Sequence, residues 1–134
     1  MSSLRTRRGP AQPDPGDDDA TRADAEVTTC ATVGLPATAR VLFAVVTADG
    51  NLVRGLGAAQ ATRLARGKYQ VIFDQDVTAA GYVGTIGLSG SAGVAPSGQV
   101  AVAGRTGIPN GVFVSTFAGD GSVADRPFHL TVLS

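Results

Sequence analysis

The sequence predicts an all-β protein: an antiparallel β-sandwich, jelly-roll-like, with about eight short strands behind a disordered N-terminal tail. Three observations lead there. Short apolar or alternating runs recur along most of the chain, separated by Gly, Asp and Pro clusters. Nothing resembles alternating strand and helix units, which disfavours a doubly wound or barrel enzyme scaffold. The first 26 residues differ sharply in composition from the rest.

That N-terminal stretch has no aromatic residue and only Leu4 as a large aliphatic. It carries Arg5, Arg7, Arg8 and Arg22 against Asp14, Asp17, Asp18, Asp19, Asp24 and Glu26, a net charge of −2. Such a segment buries too little apolar surface to offset its ordering entropy. Residues 1–26 are expected to be a disordered polar tail, a solvated extension or an interaction arm, and residues 27–134 the β-sandwich domain.

The strands follow in order. Residues 27–33, VTTCATV, alternate and read as a first strand. RVLFAVVTA (40–48) is almost wholly apolar, as for a central strand covered on both faces. Asp49-Gly50 marks a hairpin turn, with LVRGLG returning from Leu52. AAQATRLA (58–65) is hemmed in by Gly55, Gly57 and Gly67 and reads as a strand rather than a helical turn. KYQVIF (68–73) sets Tyr69, Val71 and Phe73 on one face and Lys68, Gln70 and Ile72 on the other, like a half-buried strand. YVGTIGL (82–88) puts Tyr82, Gly84, Ile86 and Leu88 on one side, its glycines implying a close approach or a bulge. A flexible loop (89–98), a strand QVAVAG (99–104) and a turn RTGIPNG (105–111) come next. VFVSTFA (112–118), a second Asp-Gly turn at Asp120-Gly121, and FHLTVL (128–133) complete the pattern. The apolar terminal strand needs cover and is expected inside a sheet.

The composition is poor in reactive chemistry. Lysine plus arginine and aspartate plus glutamate each number 11, so the whole chain is formally neutral. Beyond residue 26 seven basic residues face five acidic ones, too weak a positive balance for nucleic-acid binding. No run of about eighteen apolar residues predicts a membrane span. The N-terminus contains Arg7-Arg8 but no apolar stretch after it and does not read as a classical secretory signal, which favours a cytoplasmic or particle-associated location. Cys30 is the only cysteine, so an intrachain disulfide is impossible, and it reads as a small buried hydrophobe.

Candidate catalytic groups are few. His129, the only histidine, alternates with Phe128 and Leu130 and lies near no recognisable nucleophile motif. Asp74 and Asp76 flank Gln75 on one side of an extended chain, a spacing open to acid–base or calcium chemistry but equally to a capped strand end. Asp120 and Asp125 are turn residues. GLSGSAG and GTIGLSG lack the lysine and following helix of a phosphate loop. No cofactor or metal is implied.

The order of Gly67, Tyr69, Val71 and Phe73, then Asp76-Val77, Tyr82, and finally Pro127, Phe128, His129 and Leu130 resembles small, mostly uncharacterised all-β domains of actinobacterial and phage proteins. Those domains are often C-terminal modules of fibre-like or collagen-like chains, and the resemblance covers about residues 40–134. The Gly67-x-Tyr69 strand is also similar to one in the trimeric jelly-roll heads of complement and tumour-necrosis-factor-like proteins. By the first resemblance, a cysteine pair of many relatives is replaced near Ala80 and Ser134.

The leading expectation is therefore a non-enzymatic module that self-associates, a trimer favoured, as a fibre tip, particle component or binding head. A monomeric or dimeric carbohydrate-binding domain, using loops 89–98 and 105–111 for a glycan or protein ligand, is the alternative. A small hydrolase using Asp74 or His129 is the third.

Overall fold

The computed structural model describes residues 12–16 and 40–134. The strand expected at 27–33, with Cys30, and most of the 1–26 tail lie outside the described residues.

Among the described residues eight strands follow one another: β1 (Val41–Val46), β2 (Leu52–Leu56), β3 (Ala58–Ala65), β4 (Lys68–Phe73), β5 (Gly81–Ile86), β6 (Gly98–Gly104), β7 (Gly111–Ala118) and β8 (Phe128–Leu133). They form two four-stranded antiparallel sheets, ordered β2-β1-β8-β5 and β3-β4-β7-β6. Every strand read between residues 40 and 133 is present, including 58–65, and no helix occurs among the described residues.

Both Asp-Gly sites close hairpins or tight turns of one shape. The Gly50 N–H donates to Thr47 O and the Thr47 N–H to Asn51 O, each at 2.9 Å. The Gly121 N–H donates to Ala118 O at 2.9 Å and the Ala118 N–H to Ser122 O at 2.8 Å. Gly50 (φ 92°) and Gly121 (φ 91°) are left-handed, while among the described residues no non-glycine residue is. These are three-residue loops, a type I turn ending in a left-handed glycine, not two-residue type I′ turns.

The chain passes between sheets at Gly57, then through 74–80, 87–97 and 119–127. The last two strands occupy central places: β7 lies between β4 and β6, and β8 between β1 and β5. The terminal strand is thus covered as its apolar alternation requires.

The core lies between the sheets. Leu42, Ala44 and Val46 of β1 meet Tyr69, Val71 and Phe73 of β4, with Val112 and Val114 of β7 and Phe128, Leu130 and Val132 of β8. The rings of Tyr69 and Phe128 pack edge to face, centroids 5.1 Å apart at 63°. The Tyr69 hydroxyl donates to Ala48 O at 2.7 Å, so the one polar atom of this ring is satisfied. On β5 the inward alternation holds, and Gly84 is where β6 comes close: a Cβ there would sit 2.8 Å from Val100 Cγ1.

Two strands differ from their sequence pattern. β4 is buried on both faces, because the 105–111 segment folds over its outer side and packs Ile108 on Ile72 and Ala59. Asn110 holds that segment down, its Nδ2 donating to Phe73 O at 2.9 Å and its own carbonyl accepting from the Phe73 N–H at 2.8 Å. β1 is central, yet its outer face is covered only in part: Val45 is buried, Phe43 half-buried and Val41 exposed. Residues 12–16, expected as solvated tail, instead run as a strap against Arg105 and Thr106.

Candidate functional site

The sequence candidates for catalysis are dispersed. The carboxylate of Asp74 accepts from Arg40 at 2.9 and 3.3 Å, an ion pair at the edge of the core. Asp76 turns away from it, accepting from the Thr78 N–H at 2.8 Å and the Thr78 hydroxyl at 2.7 Å. These two bonds hold the Asp76 carboxyl below the usual value. The spacing of Asp74 and Asp76 is therefore that of a strand end and an adjoining Asx turn, and the two carboxylates serve different partners.

Asp120 caps the tip of its hairpin through the Ser122 N–H (3.0 Å) and hydroxyl (2.7 Å). Asp125 bridges loops: it accepts from the Gly67 N–H at 2.7 Å and from Arg63 Nε at 3.0 Å. Its carboxyl is held low, first by the Gly67 N–H and then by Arg63. His129 lies on the outer face of β8, with Nε2 2.8 Å from Leu88 O. A carbonyl only accepts, so that nitrogen carries the hydrogen, and the imidazole pins the chain leaving β5 onto the sheet. No group of three metal-ligating side chains occurs among the described residues.

The two loops singled out for ligands have different roles. Segment 105–111 is largely tucked in, with Arg105, Ile108 and Asn110 buried. The 89–98 loop stays outside: Arg54 Nη1 donates to Ser89 O at 2.7 Å, and Val94 is almost fully exposed.

Two surface features remain. The first is the outer face of β2-β1-β8-β5. One row across it runs Leu56, Phe43, Thr131, Val83; the next contains Val41, Leu133 and Gly81. Leu56 (55%), Val83 (57%), Val41 (54%) and Leu133 (50%) are exposed large hydrophobics on this face. No charged side chain interrupts those two rows; Arg54, Val45 and His129 lie at the end covered by the chain after β5. The second is the strap and a groove of about 200 Å³ beside it, lined by Gln12, Ala101, Val102, Ala103, Phe113 and Ser115.

Neither feature was evident from sequence. Alternation places Val41, Phe43, Thr131 and Leu133 on one face, but it does not say whether that face is covered. Comparison with protein-family models, with curated proteins and with solved structures finds no match.

Proposed function

We propose that the chain is a non-enzymatic β module that associates with copies of itself, a trimer favoured, and acts as a structural or binding head. The observation that supports this most is the apolar face of Leu56, Phe43, Thr131, Val83, Val41 and Leu133. Contiguous uncharged faces of this kind mark association surfaces more often than scattered apolar residues do. It lies on the sheet that contains β8, one of the strands that carry the resemblance. The engagement of Asp74 with Arg40 and of His129 with Leu88 O fits a scaffold role for those residues.

The strength follows from the residues. Burying the exposed half of one valine or leucine yields on the order of 1 kcal/mol. Four such residues offset only part of an association cost of about 4–15 kcal/mol. The face alone therefore falls short of the roughly 8 kcal/mol net of a micromolar complex, and further contacts must join it.

Light scattering after size exclusion on the full chain tests this. A species of three chain masses at micromolar concentration supports it; a monomer across that range refutes it.

A further inference from the structure

The strap is held by side-chain chemistry that copies a β-ladder. Gln12 Nε2 donates to Gly104 O at 2.7 Å, and Gln12 Oε1 accepts from the Thr106 N–H at 2.7 Å. A carbonyl and an N–H two residues apart are the pair that an edge strand offers to a neighbour. The Arg105 N–H points the opposite way, to Gly111 O at 3.0 Å, so Gly104 and Thr106 face outward from β7. β6 is an edge strand that ends at Gly104, and the amide of Gln12 prolongs its outer edge by bridging Gly104 O to the N–H of the turn residue Thr106.

The rest of the socket is held by the domain's own side chains. Arg105 is buried, with Nε donating to Gln70 Oε1 at 2.7 Å and its guanidinium carbon 5.9 Å from the Phe113 ring centre. Its Nη1 reaches both Gln12 Oε1 (3.2 Å) and Pro13 O. Pro15 lies against Gly107. A glutamine amide, a following carbonyl and a second proline are thus each met by a distinct group.

We propose that this socket is a peptide-binding site for an extended Gln-Pro-Asp-Pro-Gly segment, and that in the assembly the segment comes from a second copy, so that straps link subunits. The second clause rests on the self-association proposed above; the socket itself does not. Residues 17–39, 23 in number, separate Gly16 from Arg40. Their contour allows up to about 80 Å, against a radius of gyration of about 12 Å for a domain of this size. Chain length therefore does not tie a strap to its own domain. The socket lies on the sheet opposite the apolar face and stays open when that face is covered. A strap delivered across an assembly adds avidity to a weak face.

The test uses full-length protein and a labelled peptide of residues 8–18. The Gln12→Ala chain, whose own strap competes poorly, is expected to bind the peptide about tenfold more tightly than the wild-type chain does. A peptide carrying Gln12→Ala is expected not to bind. In a Cys30→Ser background, mixed Gln12→Cys and Thr106→Cys chains should cross-link to one another on oxidation. No peptide binding to either chain overturns the socket. Peptide binding with a cross-link only within the Gln12→Cys/Thr106→Cys double variant overturns exchange and assigns each strap to its own domain. Peptide binding by a monomeric chain refutes self-association, and with it exchange, while the socket stands.

Discussion

Arg40 and Asp74 lie 34 residues apart in sequence, and their side chains meet at 2.9 Å, Nη1 to Oδ1. The contact joins the entry to β1 in one sheet with the exit from β4 in the other. Gln75 extends it: Oε1 accepts from Arg40 at 2.7 Å, and Nε2 donates to the Ser134 hydroxyl at 2.9 Å. The Ser134 N–H closes the circuit on Arg40 O at 3.1 Å. One polar cluster thus fastens three chain segments at one end of the sandwich.

Removing one partner strands the other charge at the edge of the core. Asp74→Ala should lower stability by about 3 kcal/mol, and Arg40→Met combined with it should recover most of that loss. Urea unfolding of the two single variants and the double variant measures the coupling. Additive effects would show that the pair contributes nothing jointly.

The tyrosines set an alkaline limit. Burial pushes the Tyr69 hydroxyl up, with the charge of Asp125 adding to it, and burial does the same to Tyr82. The folded state thus favours the neutral phenol, so its contribution is complete below the unfolded tyrosine value of about 10 and is lost as pH rises through the higher folded value. Stability should decline from about pH 10 upward, and Tyr69→Phe should flatten that decline. Chemical unfolding across this range, followed beside tyrosinate absorbance, measures it. An unchanged slope in Tyr69→Phe would contradict the assignment.

The acid side has the opposite sign. Asp125, Asp76 and Asp120 are held low by backbone and side-chain donors, Gly67 N–H first for Asp125. Their stabilisation is complete above the unfolded aspartate value of about 4 and is lost as pH falls through the lower folded values. Asp125→Ala should cost about 1 kcal/mol at neutral pH through the lost Gly67 bond, and should make the acid transition shallower. Equilibrium unfolding at neutral and acid pH checks both.

The strand plan was legible because two local signals agree throughout. Tyr69, Val71 and Phe73 alternate with Gln70 and Ile72, and glycine or aspartate stands within three residues after every strand but β8. What local pattern does not encode is which outer faces are covered. Ile72 is buried only because Ile108, 36 positions later, lands on it. Val41 and Leu133 have the same alternation and stay exposed, because no described segment crosses them. The strap was hidden for a related reason: Gln-Pro-Asp-Pro-Gly reads as solvated tail, and its docking depends on one amide matching a carbonyl and an N–H some 90 residues away, at Gly104 and Thr106.

The self-association proposed above runs through the outer face of β2-β1-β8-β5. Sedimentation equilibrium of the wild-type protein beside Val83→Glu/Leu133→Asp tests it most directly, since both side chains are half-exposed and leave the core intact. The wild type should sediment as an oligomer, a trimer favoured, and the variant as a folded monomer. An oligomer of unchanged mass in the folded variant would contradict it.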